Sequence, residues 1–124
     1  MNERSIRSLS LSTIALARQF GIRVTAEQVE EKISRGHISS QNDLEQTFKE
    51  QGIKLQYLKP ALRTLIERSY YFPCVATLKD GTSRILISCK VNEQNLAEFQ
   101  TIDPLDPTNK VVVENETEFK SSWN

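Results

Sequence analysis

The chain has 124 residues, and its 16 basic and 16 acidic side chains cancel, so it has the length of one domain and no cationic block suited to a phosphate backbone or an anionic membrane. Its apolar runs are far shorter than the ~20 residues of a membrane-crossing helix, and Met1-Asn2-Glu3-Arg4 does not lead into the apolar core of a secretory signal. Cys74 and Cys89, in apolar contexts and without an export signal, read as reduced, buried thiols in a cytosolic protein.

Ile6, Leu9, Thr13, Leu16, Ala17 and Phe20 recur at steps of three and four, which predicts a helix with one inward stripe, stopped by Gly21. Ser8, Ser10 and Ser12 stand around its opening, where hydroxyls accept from free backbone N–H groups. Thr25-Ala26-Glu27-Gln28 has the hydroxyl and amide of a capping box and starts a short second helix with Val29 and Ile33 on one face, ending near Ser34 to Gly36. Ser39 or Ser40 caps a third helix running to about Gln51. Asp43 sits at its positive end, Leu44 and Phe48 pack four apart, and Gly52 ends it.

Ile53, Leu55 and Tyr57 alternate with Lys54, Gln56 and Leu58, a period of two that predicts a strand. Pro60 suits the first turn of a short fourth helix, with Leu62, Leu65 and Ile66 inward, ending before Pro73. The pattern then changes: Cys74 to Leu78, Asp80-Gly81 and Arg84 to Val91 predict a β-hairpin, followed by a turn over Asn92 to Asn95 and a third antiparallel strand from Leu96 to Ile102. With a hairpin loop from Asp80 to Ser83, Cys74 falls opposite Cys89. The prolines of Asp103-Pro104-Leu105-Asp106-Pro107 cannot continue a ladder. Val111 to Val113 offers one more strand, and Phe119 and Trp123 can pin a terminal segment from Glu116 to the core. Helices first and an antiparallel sheet second is the α+β class, here a single domain over residues 1–124.

Little chemistry is visible in the residues alone. The one histidine, His37, lies in the polar loop Ser34-Arg35-Gly36-His37 and reads as solvated. One histidine and two separated cysteines make no compact zinc set, and four scattered glycines make no phosphate cradle. Glu30-Glu31, and Glu116 with Glu118, read as solvated faces. Asp103 closes a strand ahead of a proline turn, a place for a catalytic carboxylate or for one bonded to its own turn.

Together, "ALARQFGI", "VTAEQVEEKI", "LEQTFKEQGIKLQYLKPALRTLIERSYYFPCVATLKDG", "RILI" and "IDP", in this order and spacing, resemble the papain-like cysteine peptidase domain that heads bacteriocin-exporting ABC transporters. The resemblance covers nearly the whole chain and implies a papain-like fold. It places the family's nucleophile at Ser8, with Leu9 where a glycine follows, and its histidine at Ser83, or at Thr82 if the turn is one residue shorter; Asp103-Pro104 matches the family's aspartate and proline. With neither thiol nor imidazole, and Asn2 the nearest amide to the family's oxyanion glutamine, the implied domain is degenerate and not an enzyme.

Such degenerate domains are similar to those heading haemolysin-type transporters of type I secretion, so the resemblance implies docking of an unfolded RTX toxin or adhesin at the cytosolic face of the bacterial inner membrane. The parent would continue past Asn124 into membrane helices and a nucleotide-binding domain that takes ATP and magnesium, and would be a dimer, with no cofactor in this domain. Tyr70, Tyr71 and Phe72 are the candidate substrate-binding residues, since aromatics offer stacking area at low entropic cost, although large aromatics are also the usual stuff of cores. The alternative is an active leader peptidase, with serine in place of cysteine, cutting after double-glycine leaders.

Overall fold

The computed structural model describes residues 2–57, 61–68, 71–108 and 110–123. The protein is α+β, with four helices, then a four-stranded antiparallel sheet, then a closing helix. Helix α1 (Glu3–Gln19) starts earlier than the apolar stripe suggests, because the Asn2 side chain accepts from the Ser5 N–H at 2.7 Å and caps it. Ser8, Ser10 and Ser12 therefore lie inside the helix, fully buried, and not at its N-terminus. At the other end Phe20, expected inward, is the C-cap residue and 64% exposed.

Helix α2 (Ala26–Ser34) begins after Thr25 as expected, but the Thr25 hydroxyl makes no capping bond. Ser40 caps α3 (Gln41–Glu50) by accepting from the Asp43 N–H, and Asp43 returns a carboxylate to the backbone N–H and hydroxyl of Ser39. Residues Ile53 to Tyr57 form no strand; Ile53 and Leu55 pack against the helical core while Lys54 and Gln56 face water. Their alternation is that of an extended connector pressed on a core on one side, which needs no ladder partner. Leu58 and Pro60 lie outside the described residues, and α4 spans Leu62–Glu67.

The strands are β1 (Cys74–Thr77), β2 (Ser83–Val91), β3 (Ala97–Ile102) and β4 (Val112–Asn115), in the spatial order β1-β2-β3-β4, and α5 (Glu116–Ser122) closes the chain. The β1–β2 register pairs Cys74 with Leu86, not with Cys89, whose partner is Phe99 on β3. The turn explains the difference. Leu78 N–H donates to Thr82 and Gly81 N–H to Leu78, so the loop is Lys79-Asp80-Gly81, with Gly81 at φ +85°, and the first ladder pair is Thr77 with Ser83. Both thiols are free, and both pack against the same core from different strands.

The sheet separates two cores. Ile6, Leu9, Val29, Ile33, Leu44 and Phe48 join α1, α2 and α3, and Val75 of β1 packs against them. Its neighbours Cys74 and Ala76 face the other way, toward Leu65, Leu86, Phe99 and Phe119, which link α4, the sheet and α5. Phe119 stacks on Phe99 with centroids 4.2 Å apart, and Trp123 lies 5.6 Å beyond Phe119, so the terminal segment is pinned as expected. Among the described residues no helix is long and apolar enough to cross a membrane.

Candidate functional site

Helix α1 carries two inward stripes. Ile6, Leu9 and Ala17 face the helical core, while Ser5, Ser8 and Ser12, spaced three and four apart, form a hydroxyl stripe. Ser8 meets the start of β2. Its Oγ accepts from the Ser83 N–H at 2.7 Å and donates to the Ser83 carbonyl at 3.1 Å, and both residues are completely buried. Ser83 Oγ lies 3.3 Å from Thr77 Oγ1, and Ser5 Oγ lies beneath Gly81, so the hairpin tip rests on the first turns of α1.

The reason for this pairing lies in the sheet. The hairpin bonds at Leu78 and Thr82 turn the Ser83 backbone groups away from β1 and toward the β3 side. Continuing the β2–β3 register past Ile85–Ile102 would set Pro104 opposite Ser83, and a proline has no N–H to give. The Ser8 hydroxyl stands in for that missing partner, satisfying donor and acceptor at once. A main-chain need, not a reaction, fixes this side chain.

The structure thus brings together the two positions that the resemblance assigns to nucleophile and base. Thr82, the alternative base position, is also buried, and its N–H and hydroxyl both donate to Asp80 Oδ1, which holds the Asp80 carboxyl below the usual range. Asp103 takes the turn role: its Oδ1 accepts from the Leu105 N–H at 2.9 Å. His37 is exposed beyond the end of α2, its N–H bonded to the Lys32 carbonyl, and Asn2 is occupied as the α1 cap. A buried hydroxyl committed to backbone, without an imidazole against it, holds a geometry; it is not set up to attack a carbonyl.

Tyr71 and Phe72 are half-buried and pack against the second core; Tyr70 lies outside the described residues. Burial pushes the Cys74 thiol up to about 11, and burial with the nearby Glu116 carboxylate raises Cys89, so neither thiol favours the thiolate. Among the described residues no group of three or more His, Cys, Asp or Glu side chains could hold a metal ion.

Sequence reasoning missed Asn2, Ser5 and Gly81 as parts of this junction. Asn2 standing three residues before Ser5 was a capping signal, whereas nothing local announces that Gly81 folds back onto Ser5. It also missed the ion pair of Arg84 with Glu114, which reaches across the sheet on its α5 side. The chain matches no protein-family model, no curated protein and no solved structure.

Proposed function

We propose that this chain is a catalytically inactive, papain-like peptidase domain that docks an unfolded, secreted polypeptide for a type I secretion ABC transporter. The meeting of Ser8 and Ser83 carries the reading. These positions lie 75 residues apart in sequence, and they were paired by a resemblance that knows nothing of their contact; two hydrogen bonds join them. An unrelated α+β fold has no reason to unite those two positions.

What the junction lacks points the same way. A serine hydroxyl ionises far above neutral pH and attacks only with a base in hydrogen-bond reach, and Ser83 holds a hydroxyl where an active member holds imidazole. A domain that keeps the layout without the reacting groups is left with binding. Tyr71 and Phe72, half-buried, keep edges on which an extended chain can stack. In this reading the domain works at the cytoplasmic face of the bacterial inner membrane, and ATP and magnesium act in a nucleotide-binding domain outside this chain.

Titration of a calcium-free, unfolded RTX segment into labelled protein tests the docking reading, and saturable binding is expected. No binding up to millimolar concentration would overturn it. In parallel, peptides with double-glycine leaders are incubated with the wild type and with Ser8→Ala, and no turnover is expected from either. Cleavage abolished by Ser8→Ala would replace docking with a serine-dependent leader peptidase.

A further inference from the structure

Strand β4 ends the sheet and pairs only with β3, so one row of its backbone N–H and C=O groups faces outward. Natural edges discourage further pairing by a proline, a bulge or an inward charge among the outward positions. This edge presents Val111, Val112 and Val113 in succession, 51%, 38% and 55% exposed, with no proline and no register shift against β3. A strand in that condition is a template for another strand.

The geometry points to a second copy of this chain as the occupant, with β4 pairing antiparallel to β4 about a twofold axis through Val113. In that register Val113 faces its own copy, Val112 faces Glu114, Val111 faces Asn115, and Lys110 faces Glu116. The twofold repeats the Lys110–Glu116 pair at both ends, so opposite charges close the interface twice. Lys110 is exposed and Glu116 half-buried in the first turn of α5.

The neighbouring registers are worse. Centring on Glu114 sets two carboxylates against each other; centring on Val112 sets Lys110 against Glu114, whose carboxylate is already held by Arg84. A foreign extended peptide would satisfy the same backbone row, but nothing fixes its charges at the places that face Lys110 and Glu116. The chain's own strand supplies both. This pairing does not depend on the docking function proposed above.

Sedimentation velocity of the 124-residue protein from about 1 µM to about 1 mM tests it, and a concentration-dependent dimer is expected. Amide exchange at residues 111–115 slows as the dimer forms. Lys110→Glu opposes like charges at both ends and weakens the dimer by about tenfold or more, and adding Glu116→Lys restores it. Val113→Lys, at an exposed position, sets two ammonium groups face to face and gives a monomer; circular dichroism checks that each variant keeps its fold. A monomer at every concentration would overturn the inference. So would a dimer indifferent to Val113→Lys and the charge exchange, or protection of 111–115 that arises only when an unfolded polypeptide is added.

Discussion

Ser8 shows how one hydroxyl can be indispensable without reacting. Ser8→Ala leaves the Ser83 N–H and carbonyl buried with no partner, since the register offers Pro104 in place of a donor. Stranding buried polar groups in this way costs about 1–3 kcal/mol, to be read as a lower urea midpoint at unchanged slope. Cys74 makes a second prediction at the same scale. Its thiol is raised from 9.0 to about 11 by burial, so the folded state holds that proton more tightly than the unfolded chain does. The resulting stability is complete below pH 9 and is lost as pH rises from 9 toward 11. Thermal midpoints should fall across that window, and Cys74→Val should remove part of the fall; Cys89, shifted in the same direction, keeps the rest.

The β1–β2 hairpin is where a local choice propagates furthest. Gly81 has φ +85°, and a Cβ there would sit 2.5 Å from Ser5 Oγ but 3.7 Å from Ser5 Cβ. Gly81→Ala therefore meets two separable penalties, about 1–2 kcal/mol for the left-handed backbone and a further cost for the contact with α1. In a double-mutant cycle Ser5→Ala should relieve the contact and leave the backbone penalty. Full additivity of the two substitutions, read from denaturant midpoints, would show that the tip does not rest on the helix.

The same hairpin marks how far the sequence could be read. Asp80-Gly81 announces a turn, but whether the loop has three residues or four depends on which backbone bonds close it, and that choice moved Cys74 from Cys89 to Leu86. Element types over long periodic stretches were legible because burial imposes its period on side chains, as in the helices of Ile6 and Leu44 and the strand Ala97–Ile102. The alternation of Ile53 and Leu55 was legible too, yet a connector lying on a core gives the pattern of a strand. The Ser8–Ser83 pairing came only from the order and spacing of whole segments. Its bonding stayed hidden, because the hydroxyl's partners are main-chain groups that carry no residue identity.

At the scale of the whole molecule, two cores lie on opposite faces of one sheet, and little else joins them. Alternation along β1 sends Val75 to the helical core and Cys74 and Ala76 to the other, while α1 seals the helical core and also holds β2 through Ser8. A sheet shared in this way cannot lose one face and keep its register, so the two cores should melt together. Trp123 is the only tryptophan and lies in the second core, against Phe119, which makes it a reporter remote from the helices. Phe48, fully buried in the helical core, is the place to apply the perturbation. Phe48→Ala should cost about 3–5 kcal/mol through lost contact and the cavity left behind. If the cores are coupled, Trp123 fluorescence and the far-ultraviolet helical signal of that variant shift to lower denaturant by the same amount and stay superimposed. A Trp123 transition that remains at the wild-type midpoint while the helical signal is lost would mean that the sheet and α5 stand without the helices, and that the Ser8 junction is a contact between independent units.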